Sequence, residues 1–114
     1  MKIRLFLIFF ITLLISNASK AQNVPLIYKI NLKKEIGSTS WIYVRNGLNE
    51  ADSLKAACII LHMNTYGGTV LHADSIRTAI LNNPIPVYAF IDNNAASAGA
   101  LIAIACDSIY MRTG

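Results

Sequence analysis

The chain has 114 residues, of which 54% are hydrophobic and 14% charged, and its formal net charge is +4. This length provides one small domain. Three of the ten basic residues precede residue 22, and the remaining seven face six acidic residues, which leaves the body with a net charge of +1. A nearly neutral body without a stripe of basic and aromatic side chains argues against nucleic acid as a partner.

The first 21 residues have the pattern of a secretory signal peptide. Two basic residues precede the apolar stretch 5–15, and the small residues Ser19 and Ala21 fit a cleavage site before Gln22. Eleven helical residues span about 16 Å, which is too short for the hydrocarbon core of a bilayer. We therefore expect a cleaved signal peptide rather than an uncleaved anchor, followed by an exported body over residues 22–114.

The body alternates between strand and helix patterns. Strands are predicted over residues 26–32, 57–63, 86–91 and 107–111, and helices over residues 41–57, 70–81 and 101–105. Because the apolar runs 57–63 and 86–91 are continuous, we expect those strands to be covered on both faces. The order β-α-β-α-β-α-β predicts an α/β fold with a mainly parallel sheet joined by right-handed crossovers.

A single serine stands where a predicted strand meets a predicted helix. Ser97 follows the strand 86–91 and has alanine and glycine neighbours over residues 95–100. The first amides of a helix have no partner inside it and can hold a negative charge, and small neighbours leave room for a substrate carbonyl. Serine is also a favoured helix N-cap. This segment alone leaves both interpretations open, an exposed nucleophile and a cap.

A pair of glycines follows the preceding strand. Gly67 and Gly68 lie between the strand 57–63 and the helix 70–81, and glycine permits positive φ and close backbone approach. Alone, this is an ordinary loop, in which Tyr66 either shapes a substrate pocket or packs as a loop aromatic. In a parallel sheet, however, this loop and Ser97 share the carboxyl edge. One hydroxyl and two sources of backbone N–H donors are the parts that acyl transfer needs.

The cysteines and histidines do not form a metal-binding pattern. Cys58 and Cys106 both lie in apolar settings, so buried free thiols are favoured, although an exported protein could join them in a disulfide. His62 and His72 have no carboxylate at ligand spacing, so we expect no metal. His62, on an apolar strand, is interpreted as a core histidine rather than a catalytic base.

Several segments in order resemble the NfeD-type, membrane-bound serine proteases of the ClpP class. Residues 64–68 match that family's Asn-Thr-x-Gly-Gly segment, and residues 73–77 match the helix that follows it. Residues 90–100 match its serine segment, and residues 106–111 the next strand. The resemblance covers residues 26–114 and implies a ClpP/crotonase-like fold of repeated β-α units, incomplete here, with the chain forming the N-terminal part of the protease domain.

The resemblance also implies a site. Ser97 corresponds to the nucleophile, and an oxyanion hole is expected from the backbone amides of Gly67, Gly68 and Ala98, with Gly67 favoured over Gly68. The family uses a serine–lysine dyad, but no lysine follows Ser97 here. The base is therefore expected beyond the chain end, and the chain alone is expected to be inactive.

Further expectations follow from the same resemblance. Substrates would be apolar protein segments, associates would be stomatin-like membrane proteins, and the domain would self-assemble into a homo-oligomer without a cofactor. The full-length protein would be extracytoplasmic and membrane-associated. Two alternatives are a non-catalytic scaffold and the acyl-CoA chemistry of the related crotonases, and export argues against the second because CoA is cytosolic.

Overall fold

The computed structural model describes residues 1–15 and 22–113. Its elements are α1 (Lys2–Ile15), β1 (Ile27–Leu32), α2 (Ser38–Ser53), β2 (Cys58–Thr65), α3 (Val70–Leu81), β3 (Val87–Ala95), α4 (Ala98–Ala103) and β4 (Ser108–Met111). The predicted alternation of strands and helices is therefore confirmed. Ser19 and Ala21, which the signal-peptide prediction uses, lie outside the described residues.

The N-terminal apolar segment forms the 14-residue helix α1. Within residues 1–15 and 22–113, no helix combines the length and apolar character that crossing a membrane requires.

The strands form one four-stranded sheet in the order β1-β2-β3-β4, and every neighbouring pair is parallel. One row of paired residues across the sheet consists of Ile30, Leu61, Ala89 and Ile109. The prediction of a parallel α/β sheet is confirmed. Since all strands run the same way, their carboxyl ends and the loops that follow them lie along one edge.

The hydrophobic core lies between the sheet and the helices α2, α3 and α4. Alternate strand residues such as Leu61, Met63 and Ala89 are almost completely buried. The helices meet them with apolar positions three or four residues apart, which form one face of each helix. This packing fixes the strands and thereby the positions of the loops at the carboxyl edge.

The expectation that β2 and β3 are covered on both faces was wrong. Their burial alternates, and every second side chain is only partly buried. We call this side of the sheet the open face. It carries the partly buried side chains Ile60, His62, Tyr88 and Phe90 and the exposed side chain Tyr110 of β4. In the part of the chain that the structure describes, no helix covers that face.

Helix α2 begins and ends earlier than the predicted span 41–57. Ser40, which precedes the predicted span, lies in the first turn of the helix. Its Oγ accepts a hydrogen bond from the Gly37 amide at 2.8 Å and lies 2.9 Å from the Gly37 carbonyl, to which it donates. The helix ends at Ser53, and Lys55 with φ of 55° turns the chain into β2.

Candidate active site

Ser97 occupies a strained turn between β3 and α4. We call residues 95–98 the serine turn. The strand extends to Ala95, four residues past its predicted end, and the helix begins at Ala98. Ser97 is exposed and has φ of 52° and ψ of −121°. A residue with a side chain in such a conformation costs about 1–3 kcal/mol, and such strain is concentrated at functional sites.

The hydroxyl of Ser97 is not used as a helix cap. Ser97 occupies the N-cap position of α4, but its side chain makes no capping hydrogen bond. Backbone carbonyls take that role, because the amide of Gly99 donates to the carbonyl of Ala96 at 2.8 Å and that of Ala100 to the carbonyl of Ser97 at 3.0 Å. Of the two interpretations that the sequence left open, the side-chain cap is therefore the wrong one.

The glycine pair brings the loop after β2 into contact with Ser97. We call residues 66–69 the glycine loop. Gly67 has φ of 107°, and a Cβ atom at this position would lie 2.8 Å from the Cβ of Ser97. Gly68 has φ of 154°, and a Cβ there would lie 2.1 Å from the carbonyl oxygen of Ile36. Tyr66 is 82% exposed, so it is not a packed loop aromatic.

One of the loop amides already has a partner. The N–H of Gly67 donates to Thr65 Oγ1 at 3.1 Å. The carbonyl of Gly67 accepts from the amide of Ile36 at 2.8 Å. In a trans peptide, N–H and C=O point in opposite directions, so the N–H of Gly68 points away from Ile36.

Two amides beside the serine remain unbonded. Within the described residues, neither the N–H of Gly68 nor that of Ala98 donates a hydrogen bond. The amide nitrogen of Ala98 lies 3.2 Å from the Cβ position at Gly67, so both amides border the contact between the loops. The N–H of Gly67, which the resemblance favours as a donor, is therefore already hydrogen-bonded, whereas the N–H of Gly68 has no partner in the described residues.

A charged cluster surrounds Asp92 of β3. It consists of His62 of β2 and of Lys33 and Arg112, which directly follow β1 and β4. Arg112 Nη1 donates to Asp92 Oδ1 at 3.1 Å, and Lys33 Nζ lies 3.9 Å from Oδ2. The hydrogen bond from Arg112 is the main reason that the pKa of Asp92 is lowered. His62 Nε2 lies 3.6 Å from Asp92 Oδ2, too far for a hydrogen bond. Burial, with help from Lys33 and Lys29, lowers the pKa of His62.

Neither histidine hydrogen-bonds the serine in the described ranges of the chain. His62 belongs to the open face, where its ring lies 5.4 Å from that of Phe90. His72 Nδ1 lies 2.6 Å from Thr69 Oγ1, whose other contact is the carbonyl of Ile36 at 3.4 Å. The hydrogen-bond partner of His72 is therefore Thr69, the N-cap residue of α3.

The cysteines are free thiols. Burial raises the pKa of Cys106 to about 12, and its Sγ lies 3.6 Å from the carbonyl of Ile102. In residues 1–15 and 22–113, no group of three metal-ligating side chains comes together.

The fold and this site define the class of protein: a parallel α/β domain of the ClpP-like proteases. ClpP1 from Listeria monocytogenes superposes with a TM-score of 0.67 at 25% identity, over 69% of this chain and 46% of that chain. The membrane protease 1510-N, specific for a stomatin homolog from Pyrococcus horikoshii, gives a TM-score of 0.71 at 27% identity, over 77% and 46%. A mutant of 1510-N in complex with a substrate peptide gives 0.71 as well.

The sequence matches identify one family within this class. Residues 26–114 match the model of the NfeD1b N-terminal domain, and the chain belongs to that family. Membrane protein NfeD1b of Bacillus subtilis (strain 168) is 34% identical over 107 residues, which are 94% of this chain and 24% of that protein. The predicted resemblance is therefore confirmed, and the chain spans about a quarter of that relative's length.

Proposed function

We propose that the full-length gene product is an exported, membrane-associated serine endopeptidase with Ser97 as its nucleophile. Residues 1–21 are its signal peptide, and residues 22–114 are the N-terminal part of its protease domain. One observation carries the proposal: an exposed, uncapped serine in a strained turn contacts a glycine loop, with unbonded amides on both sides of the contact. A purely structural serine has no need of that strain.

The chemistry would be acyl transfer. Ser97 Oγ attacks the peptide carbonyl while a base takes the hydroxyl proton. The amides of Gly68 and Ala98 hold the resulting oxyanion, with Gly67 keeping the loop against the turn. The tetrahedral intermediate then expels the amine, which receives the proton, and water releases the acyl group. The base is a lysine outside this chain, held neutral by burial that lowers its pKa.

The expected substrates are apolar segments of stomatin-like membrane proteins. This expectation is supported by the structural neighbour 1510-N, which is a protease specific for a stomatin homolog and was solved with a substrate peptide in its mutant form. We further propose that the domain assembles as a homo-oligomer and requires no cofactor.

A fluorophosphonate probe tests the nucleophile directly. The wild-type gene product is expected to be labelled stoichiometrically at Ser97, and Ser97→Ala to lose both labelling and cleavage of an apolar peptide. Ser75→Ala is the matched control, because Ser75 Oγ only donates to the carbonyl of Leu71 at 3.0 Å in helix α3. Cleavage retained by Ser97→Ala would refute the assignment.

A non-catalytic scaffold is the second candidate. A scaffold would keep the fold and would associate with stomatin-like proteins without cutting them. Absence of probe labelling in a folded wild-type protein, together with retained association, would support this alternative.

A further inference from the structure

We infer that Thr65 is the positioning residue that fixes the glycine loop against the serine turn. The inference rests on the proposed function. In it, Thr65 sets the distance between the two oxyanion donors, which are the amides of Gly68 and Ala98. Thr65 is the last residue of β2, only 2% of it is exposed, and it touches both loops. In the sequence, Thr65 is one position of the Asn-Thr-x-Gly-Gly segment, and the segment alone gives it no role.

The hydroxyl of Thr65 holds the glycine loop. Its Oγ1 accepts a hydrogen bond from the N–H of Gly67 at 3.1 Å. The same Oγ1 donates to the carbonyl of Gly67 at 3.5 Å, so the hydroxyl contacts both the N–H and the C=O of this glycine. Because the contact is buried, its loss would leave an amide without a partner away from water.

The backbone and methyl group of Thr65 hold the serine turn. Its carbonyl accepts from the amide of Ala96 at 3.1 Å, the residue before Ser97. Its Cγ2 lies 2.8 Å from the Cβ position at Gly99, so the methyl group packs directly against the first turn of α4. A register shift in the pairing of β2 with β3 places Thr65 opposite Ala95, at the start of the serine turn.

Threonine is the residue type that satisfies both loops. Valine has the same shape and the same methyl contact but no hydroxyl for Gly67. Serine keeps the hydroxyl but loses the methyl that contacts Gly99. A β-branched side chain also has a restricted χ1, so its two branches stay fixed relative to each other. The pair of substitutions therefore separates the two contacts.

The experiment compares Thr65→Val, Thr65→Ser and Thr78→Val in the full-length gene product. Thr78→Val makes the same chemical change at an exposed position of α3. We expect Thr65→Val to lower kcat by about ten- to a hundredfold with KM within about twofold, because a shifted donor weakens only transition-state binding. Affinity for a peptide boronate should fall in parallel with kcat. Thr65→Ser should recover most of the loss, and Thr78→Val should match wild type.

The outcomes separate this inference from the proposed function. A wild-type protein without probe labelling or turnover would overturn both. A labelled, active wild type with an equally active Thr65→Val would overturn the role of Thr65 alone. The role of Thr65 would also be overturned if kcat of Thr65→Val fell only in proportion to its folded fraction. In that case the ratio of boronate affinity to substrate affinity would stay at the wild-type value.

A second measurement covers the case in which Thr65→Val does not fold. Gly99→Ala adds a methyl group where only 2.8 Å separates it from Thr65 Cγ2, and it should lower the labelling rate at Ser97. Combining it with Thr65→Ser removes the opposing methyl and should restore labelling to at least half of the wild-type rate. A double variant no faster than Gly99→Ala would contradict the proposed contact.

Discussion

The glycine loop and the serine turn both adopt positive φ, but for opposite reasons. Gly67 and Gly68 have no space for a side chain, because a Cβ would collide with Ser97 on one side and Ile36 on the other. Ser97 keeps a side chain at φ of 52° although a glycine would adopt this conformation without strain. One loop is shaped by close packing, whereas the other retains a strained residue. Strain kept at a position open to solvent is consistent with the proposed role of the Ser97 hydroxyl as nucleophile.

The largest effect is expected for Gly68→Ala. The added Cβ would lie 2.1 Å from the Ile36 carbonyl oxygen and 2.7 Å from its amide nitrogen, and neither backbone atom can move without breaking the bridge between these loops. Overpacking and a disfavoured φ together should lower the free energy of unfolding by about 3 kcal/mol or more. Chemical denaturation measures this change.

Gly37→Ala is the matched control for that substitution. Gly37 has extended backbone angles, and a Cβ there would meet nothing within 4 Å. We expect its stability to stay within about 0.5 kcal/mol of wild type. If Gly68→Ala were as stable as Gly37→Ala, the close approach to Ile36 would not constrain the glycine loop.

A smaller, opposite effect is expected at the serine turn. Ser97→Gly should be more stable than Ser97→Ala by about 1–2 kcal/mol, because glycine relieves the strained backbone while alanine retains it. Both variants lose the nucleophile, so the comparison concerns conformation alone. Equal unfolding midpoints for the two variants would show that the turn is not strained, and the contrast between the loops would then fail.

The sequence predicted the fold better than it predicted the site. The helix over residues 70–81 was predicted to the residue, because its apolar period and the following proline are both local signals. The extension of β3 to Ala95 was missed, since Asn93 and Asn94 are typical of turns and only pairing with β2 keeps the chain extended there. Tertiary contacts override local propensity at such positions.

The site was predicted as a set of residues but not as a geometry. The motifs bring Ser97 and the glycine pair to one edge of the sheet, as predicted. The bond from the amide of Gly67 to Thr65 Oγ1 is the basis for proposing Gly68 as the donor, and no spacing in the sequence signals that bond. The close approach of Ile36 was missed for the same reason, because it joins loops that are more than 30 residues apart.

The smallest effect is expected in the pH dependence of stability and involves His62 in β2. Its measurement tests the strands that carry the two loops separately from the loops themselves. The lowered pKa of His62 means that the unfolded chain takes up a proton first as the pH falls below about 6.5. The folded state therefore loses stability from that pH downward until His62 is itself protonated. The slope from one proton is at most about 1.4 kcal/mol per pH unit.

Replacing His62 with Gln should remove this loss between pH 7.5 and pH 5, while Asp92 stays ionised because its own pKa is lowered. The measurement is the urea midpoint across that pH range. A His62→Gln variant with the wild-type slope would mean that another group titrates. If the slope is removed and Ser97 labelling at pH 7.5 is unchanged, the charged cluster around Asp92 would be assigned to stability and the two loops to chemistry.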